Sequence, residues 1–453
     1  MTGINSAAVK KMAVSGFELW DIFRENSTAS VITFENNRVD RVSKGSDSGI
    51  GFRGYKKGAT AYLFTNDIKA QADAAARLAA RPAAAGAVFK AMRGKPAFVN
   101  RVIKDPEGVS DVKKIKLLMR LNDVVRAQNS AVRQASITYS ERAREIEIVN
   151  DLGVYVRETQ VYTALVIMVV AARGNRIETA HSVIAGAAGF ELIEAGGIEK
   201  KARDTAALAA RLLKTDRRIN GPMAAVISSS AGGTMIHEAV GHSLEADLVQ
   251  KDLSTYKGRK GKVVASGLVT VLDDTRLAGR RGSYSFDDEG VEAQSTVLVE
   301  NGVLKNFIYD RETALKDRAV STGNGRRESY RFRPIPRMTN TMIAPGKGAA
   351  KDIIKDTKKG IFVARMGGGQ VNTVTGEFVF EVKEGYLIEG GKVTVPVRGA
   401  TLMGRGEEVL NTIDAVAGDL GFDSGTCGKD GQGVPVSDAQ PTIRIPKILV
   451  GSK

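Results

Sequence analysis

Segments with strand composition, separated by glycine-containing turns, run through most of this 453-residue chain. They do not alternate with helices in a regular βαβ rhythm. Residues 49–65 predict a hairpin that turns at Lys56-Lys57-Gly58, and residues 135–185 predict an antiparallel meander. Helical periodicity marks residues 110–127, where Ser110 is the expected cap, and residues 198–214. The pattern predicts an α+β fold.

The polar stretch 215–222, which contains proline, is the predicted domain boundary. An N-terminal α+β domain would then span residues 1–218, and a largely β C-terminal domain residues 219–453. The C-terminal domain opens with a short strand that leads into a helix carrying two histidines. Its later strands are predicted at residues 263–272, 297–309, 376–388 and 392–397, and two short helices at residues 349–358 and 407–417.

Hydropathy, cysteine content and charge limit the location and the partners. The longest apolar run, residues 162–172, is shorter than the roughly 20 residues that a membrane-spanning helix needs. The N-terminal residues lack the apolar core of a signal peptide, and a single cysteine fits a reducing compartment. We therefore expect a cytoplasmic protein without a membrane partner. The net charge of +15 keeps such a chain soluble, and it would also favour acidic partners such as nucleic acid.

Two of the three histidines bracket a glutamate in the segment His237-Glu238-Ala239-Val240-Gly241-His242. The related spacing H-E-x-x-H places two imidazoles on one side of a helix, where both bind one zinc ion. Here the histidines are five positions apart, which leaves the rings roughly 140° apart on a regular helix. One widened π-turn realigns them. The spacing therefore predicts a zinc-hydrolase site and a widened turn at Val240-Gly241.

A catalytic zinc needs three protein ligands and an open position for water, so a third ligand has to come from elsewhere. His181 lies in a predicted strand and is expected to be an ordinary histidine. Glu245 and Asp247 could orient an imidazole or could simply be solvated. Cys427 lies in the glycine-rich segment 425–433, which is predicted to be a flexible loop where a thiolate could approach a metal. The alternative is that Cys427 is a passive small apolar residue.

Five segments of the C-terminal half occur together in an order that is typical of one family. They are residues 235–247, 323–330, 336–341, 367–371 and 427–429. In these segments the chain resembles the TldD/PmbA family of bacterial and archaeal metallopeptidases, and more closely its catalytic TldD type than the PmbA or TldE type, which lacks the metal motif. The first half resembles the family mainly in its pattern of hairpins and helices.

The resemblance implies a Zn²⁺ ion, one per active subunit, held by His237, His242 and Cys427, with Glu238 as the general base. It also implies short or unfolded peptide substrates that bind as an added β-strand and are cleaved with little sequence specificity. The implied partner is a TldE/PmbA-like subunit in a heterodimer that encloses a cavity, and a homodimer with a second copy of the chain is the alternative.

Four further residues are candidates for substrate contact. Arg326 and Tyr330 could donate hydrogen bonds to the oxyanion, although arginines near prolines also serve as structural ion-pair partners. Gly368 and Gly369 would suit close approach by a substrate backbone, and a tight turn is the alternative.

Two functions of different classes follow from the sequence. The leading hypothesis is a zinc-dependent peptidase. The alternative is a non-catalytic modulator that binds nucleic acid or a DNA-handling complex through its basic surface. Nucleic acid is the less favoured partner.

Overall fold

The first part of the molecule is built on one seven-stranded sheet with the strand order β3-β2-β1-β5-β6, to which β7 and β4 add along β6. The structure is a computed structural model that describes residues 3–79, 92–94 and 100–452. The strands are Leu19–Glu35 (β1), Arg38–Lys56 (β2), Ala59–Thr65 (β3), Met92–Arg93 (β4), Val132–Asn150 (β5), Val154–Arg173 (β6) and Arg176–Gly186 (β7). The helices are Ser6–Ala13 (α1), Gln71–Leu78 (α2), Asp111–Arg126 (α3), Glu191–Glu194 (α4) and Ile198–Leu212 (α5), with a 3-10 turn at Ile68–Ala70.

Local sequence signals account for much of this part. The predicted hairpin is present as β2 and β3, and Lys57 and Gly58 at its turn have the positive φ angles of 49° and 83° that a tight hairpin requires. The predicted meander is present as the antiparallel strands β5, β6 and β7. Ser110 caps α3 by accepting a hydrogen bond from the Lys113 N–H. Helices α3 and α5 bury their apolar sides against this sheet.

The second part contains shorter strands and helices. Its strands are Gly221–Ile227 (β8), Val271–Asp274 (β9), Ser295–Glu300 (β10), Val303–Leu304 (β11), Gly325–Arg326 (β12), Ile335–Pro336 (β13), Asn340–Ile343 (β14), Lys359–Val371 (β15), Glu377–Glu389 (β16), Lys392–Val397 (β17), Ala400–Arg405 (β18), Ala415–Val416 (β19), Gly421–Lys429 (β20), Gln432–Gln440 (β21) and Ile443–Ser452 (β22). Its helices are Thr234–Ile236 (α6), Ala246–Gln250 (α7), Arg311–Asp317 (α8), Ala350–Lys355 (α9) and Gly406–Thr412 (α10), with a 3-10 turn at Ser229–Ala231.

Five of these strands close into a barrel, because β15 pairs with β16 as well as with β8 in the order β15-β8-β22-β18-β16. A six-stranded sheet with the order β11-β10-β9-β14-β21-β20 lies beside it, and β20 is an edge strand of this sheet. Strands β12 and β13 form a separate ribbon. The predicted strands near residues 376–388 and 392–397 are confirmed as β16 and β17.

Two strand predictions in the second part were wrong in extent. Residues 263–272 contribute only the start of β9, and residues 297–309 contain the short strands β10 and β11 rather than one long strand. The β-branched residues that suggested a strand, such as Val264 and Val269, are fully buried in the core without belonging to a named strand. Their composition reflects burial rather than strand pairing.

Buried ion pairs join the first sheet to the second part. Arg53 on β2 pairs with Asp21 on β1 and with Glu289, and Asp21 also accepts from Arg327 at 2.8 Å. All four side chains are buried. The division into residues 1–218 and 219–453 stays a prediction, although the first sheet ends before that boundary and β8 begins just after it. None of the described helices is long and apolar enough to span a membrane.

Candidate metal centre

The predicted widened turn is present in the histidine-bearing helix. After α6 the chain forms a π-helical turn at His237–Gly241 and then a 3-10 turn at His242–Leu244. The His242 N–H donates to the carbonyl oxygen of His237, five residues earlier, which is the hydrogen bond of a π-turn. The two imidazole rings consequently lie next to each other in an edge-to-face arrangement, with centroids 5.1 Å apart and planes at 89°.

Glycine is required at position 241 by close packing. A Cβ atom there would lie 1.9 Å from the sulfur of Met338, which is fully buried. Met338 therefore lies directly against the backbone of the π-turn, and a side chain at position 241 would push the two apart. This contact helps to fix the turn in which both histidines point the same way.

Cys427 lies on strand β20, so the prediction of a flexible loop was wrong. Strand β20 pairs with β21 in an antiparallel hairpin in which Cys427 faces Val434. The two turn residues, Asp430 and Gly431, have φ angles of 50° and 72°, as expected for an Asp-Gly hairpin turn. Arg337, fully buried, donates hydrogen bonds to the carbonyl oxygens of Cys427 and Gln432. The cysteine is therefore held rigidly.

The helix and the hairpin bring three metal-ligating side chains together. The Cys427 Sγ lies 3.3 Å from the Nε2 atom of His237 and 3.3 Å from that of His242. All three donor atoms lie within 4.8 Å of one another, and they form the one such group found among the described residues. Around a tetrahedral zinc ion, nitrogen and sulfur ligands are separated by roughly 3.6 Å. The spacing therefore fits a zinc-sized ion.

The charges of the three residues also suit a metal. Burial acts to raise the pKa of the Cys427 thiol, but the hydrogen bonds to His237 and His242 outweigh it and lower this pKa to about 5. The sulfur is thus a thiolate at neutral pH, the form that binds metals. A His₂Cys set of this kind favours zinc or another late first-row metal over magnesium and calcium.

Glu245 orients one of the imidazoles. Its Oε2 lies 3.0 Å from the Nδ1 of His242 and 3.2 Å from the Nζ of Lys429. Burial acts to raise the pKa of Glu245, but Lys429 and His242 lower it to about 2, so the carboxylate is ionised. A proton on Nδ1 leaves Nε2 of His242 free for a metal. Asp247 instead accepts a hydrogen bond from Lys429 at 2.6 Å.

Glu238 lies beside His237 on the same turn and is half-buried. In the described part of the chain, its carboxylate has no hydrogen bond or ion pair. Asp438, half-buried on β21, accepts a hydrogen bond from the Gly233 N–H at 2.9 Å. Loss of contact with water, and then the nearby carboxylates of Asp423 and Glu238, raise the pKa of Asp438 to about 6, while His237 acts to lower it. Asp438, Lys429 and Arg337 had no predicted role, because only strand pairing brings them here.

Arg326 and Tyr330 are not part of this cluster. The buried guanidinium of Arg326 donates to the carbonyl oxygens of Met338 and Pro435, at 2.6 and 2.7 Å. The ring of Tyr330 packs against Gly49 on β2, and its hydroxyl lies 3.0 Å from Asp47. These contacts join parts of the fold, and the roles of Arg326 and Tyr330 in substrate contact stay predictions.

Gly368 and Gly369 belong to strand β15, so the tight-turn alternative was wrong. The register between β15 and β16 shifts between Met366 and Gly369. A Cβ on Gly369 would lie 1.9 Å from the Phe380 ring, whereas a Cβ on Gly368 would meet nothing within 4 Å. Gly368 is thus the glycine that faces open space. His181 is exposed on β7, apart from the three converging ligands.

Family models match nearly the whole chain. The models for PmbA/TldA metallopeptidase domain 1, the central domain and the C-terminal domain match residues 20–87, 104–213 and 220–452. The chain belongs to the PmbA/TldA metallopeptidase family. This confirms the resemblance to the TldD/PmbA family that the sequence motifs indicated.

Relatives within the PmbA/TldA family agree. The chain is 38% identical to a metalloprotease TldD homolog of Haemophilus influenzae over 76% of its own length and 73% of the relative. It is 33% identical to a metalloprotease of Methanothermobacter thermautotrophicus, over 96% and 95% of the two chains. The solved structure of TldE from Thermococcus kodakarensis has the same fold, with a TM-score of 0.77, 18% identity and coverage of 99% and 100%. The predicted α+β class is confirmed.

Proposed function

We propose that the protein is a zinc-dependent peptidase of the H-E-x-x-x-H type, with one zinc ion bound by His237, His242 and Cys427. The observation that supports it most is the convergence of these three side chains from a π-turn and a distant hairpin. Three ligands with an open fourth position are the arrangement of a catalytic rather than a structural zinc site.

Each residue has a separate part in hydrolysis. A zinc ion in such a site lowers the pKa of bound water to about 7 and polarises the scissile carbonyl. Glu238 takes the proton of the attacking water and later delivers it to the leaving amine. Its unpaired carboxylate next to His237 suits that shuttle. Glu245 holds the His242 ring in place, and the buried Arg337 fixes the backbone of Cys427.

A peptide substrate could bind as an added strand along β15. Strand β8 pairs with β15 only as far as Val363, and in the described part of the chain no strand pairs with that side of residues 365–371. Strand β15, whose free edge includes Gly368, contacts the histidine-bearing turn. Main-chain hydrogen bonds would supply most of the affinity, so short or unfolded peptides would be accepted with little sequence specificity.

We further propose that the subunit is cytoplasmic and that it pairs with a TldE/PmbA-like subunit. A second copy of this chain is the alternative partner. TldE shares the fold, so a heterodimer of two similarly folded subunits could enclose a cleft at the proposed metal site. Such an enclosed cleft would admit flexible peptides and exclude folded proteins.

The decisive experiment compares Glu238→Gln with the parent. Glutamine keeps the size of the side chain but cannot take a proton from water. We expect peptide hydrolysis to fall by at least about a hundredfold, because general-base catalysis contributes on that scale. Bound zinc, measured by elemental analysis, should stay at one ion per chain. Full activity in Glu238→Gln would exclude Glu238 as the base, and absence of zinc from the parent would exclude the metal site.

A further inference from the structure

A polar cavity of about 330 Å³ lies where the first part meets the second, close to the proposed metal site. Strand β7 and helix α5 form one wall. Strand β15, the start of β20 and the turn that precedes the histidine-bearing helix form the other. Its lining includes three cationic side chains, Lys201, Arg365 and Lys383, together with one carboxylate, Asp423. The excess of positive charge favours an anionic ligand.

Lys201 is the cation in the lining of this cavity that has no ion pair with a carboxylate among the described residues. Its Nζ donates to the carbonyl oxygen of Val183 at 3.0 Å, and among the described residues no carboxylate lies within ion-pair distance of it. Burial lowers the pKa of the Lys201 ammonium, while Asp423 acts to raise it. A half-buried ammonium without an ion pair gains from an acidic ligand that replaces part of its lost water.

Arg365 and Lys383 are partly neutralised. The Arg365 guanidinium lies 3.3 Å from a carboxylate oxygen of Glu384 and donates to the Ser182 hydroxyl at 3.2 Å. Lys383 pairs with Glu381 at 2.8 Å. They add positive charge to the lining from strands β15 and β16, whereas Lys201 lies on helix α5.

The position of the cavity ties it to the peptide path. Arg365 begins the free edge of β15, along which a substrate strand would lie. Asp423 precedes Cys427 by four residues on β20, which corresponds to about 13 Å at the usual rise of a strand. Asp423, in the lining of the cavity, is therefore separated from the proposed ligand Cys427 by the length of about four residues of extended peptide.

We propose that this cavity is a subsite for a carboxylate of the peptide substrate, about four residues from the bond that is cleaved. The inference rests on the proposed peptidase function and adds a preference for charge at one end of the substrate. The carboxylate has two sources, the free C-terminus of the peptide or an acidic side chain within it. In both cases Lys201 donates to the carboxylate oxygens.

Calorimetric titration of Glu238→Gln protein with uncleaved peptides tests the subsite directly. Three octapeptides with the same neutral core are needed: one with a free C-terminus, one amidated, and one amidated with a single internal glutamate. We expect the free acid or the glutamate peptide to bind about tenfold more tightly than the neutral amide, the scale of one charge-assisted hydrogen bond. Whichever binds more tightly identifies the source of the carboxylate.

Variants at Lys201 assign the preference to the cavity. Lys201→Met in the same background should abolish the difference between acidic and neutral peptides, and Lys201→Arg, which keeps the charge, should retain it. Lys200→Met is the matched control, because Lys200 is the neighbouring residue on α5 and pairs with Asp204 at the surface. It should keep the parent's preference. Thermal unfolding of each variant establishes that it is folded.

Two results would overturn the subsite. One is equal affinity of Glu238→Gln protein for all three peptides. The other is an unchanged preference for acidic peptides when folded protein carries Lys201→Met in addition to Glu238→Gln. Neither depends on hydrolysis, because binding is measured without cleavage. Failure of the peptidase proposal would instead appear as a lack of hydrolysis of all three peptides by the protein that retains Glu238.

Discussion

Lys429 Nζ lies 3.2 Å from Glu245 Oε2, and this buried ion pair links the strand that carries Cys427 to the turn that carries His242. Lys429 also donates to Asp247 and to the Pro336 carbonyl oxygen. Because Glu245 in turn contacts His242, a single lysine supports ligands from two distant segments. The ion pair therefore helps to set the distance between the thiolate and the imidazoles.

Lys429→Met should weaken zinc binding. The variant leaves Glu245 buried without its cation, so the orientation of His242 and the position of β20 both loosen. We expect the zinc dissociation constant, measured by competition with a chelator, to rise about tenfold to a hundredfold. Lys251→Met is the control, since Lys251 also lies near Asp247, at 3.9 Å, but is exposed. Equal affinities for the two variants would remove the role of Lys429.

The single cysteine allows its ionisation to be followed directly. In the zinc-free protein, the hydrogen bonds to His237 and His242 lower the pKa of Cys427 to about 5 against the effect of burial. Thiolate absorbance near 240 nm should therefore appear between about pH 4 and pH 6 rather than near the usual pKa of about 8.5. Cys427→Ser provides the baseline and should also lose bound zinc. If the Cys427 thiol of the zinc-free parent ionises near pH 8.5 instead, this result would contradict the site geometry.

Local chemistry made part of this site predictable. The five-residue histidine spacing predicted the π-turn, because hydrogen bonding within one helix decides it. Cys427 was misplaced in a loop because the Asp430-Gly431 turn was not recognised among the surrounding glycines. Lys429 and Asp438 could not be assigned, because their contacts depend on which strands pair. The ring of Tyr330 packs against Gly49 on β2, a contact that the sequence did not predict, and its role in substrate contact stays a prediction.

The two neighbouring glycines of β15 should respond differently to alanine. A Cβ on Gly369 would overlap the Phe380 ring, so Gly369→Ala should lower the free energy of unfolding by about 1–3 kcal/mol. Gly368→Ala has open space and should change it by less than about 0.5 kcal/mol. Denaturant unfolding of the two variants measures the difference. Equal losses of stability would mean that the backbone of β15 at its register shift between Met366 and Gly369 differs from the one described.

Gly368→Ala also tests strand addition. The variant is expected to fold normally, but its methyl group would occupy the space that an incoming peptide backbone uses. If peptides bind along this edge, the KM should rise by about tenfold or more while zinc content stays unchanged, since close backbone contacts are lost. An unchanged KM for Gly368→Ala would place the peptide elsewhere.

Asp310 predicts a pH dependence of stability. Burial first, and then the nearby Glu289, raise the pKa of Asp310 to about 7, while Arg53 acts to lower it. In the unfolded chain the same carboxyl has a pKa of about 3.9. A carboxyl whose pKa is raised by folding stabilises the protein fully below pH 3.9, and this contribution is lost as the pH rises toward about 7.

Asp310→Asn removes that titration and keeps an oxygen that caps α8 at the Thr313 N–H, as Asp310 does at 2.7 Å. The stability of Asp310→Asn relative to the parent should therefore increase between about pH 4 and pH 7. Denaturant unfolding at a series of pH values gives this difference. Asp204→Asn is the control, because Asp204 forms an exposed ion pair with Lys200. The free energy of unfolding of Asp204→Asn should depend on pH in the same way as that of the parent. A parallel curve for Asp310→Asn would show that the Asp310 carboxyl does not gain a proton on folding, and that the neighbouring Arg53 keeps it ionised.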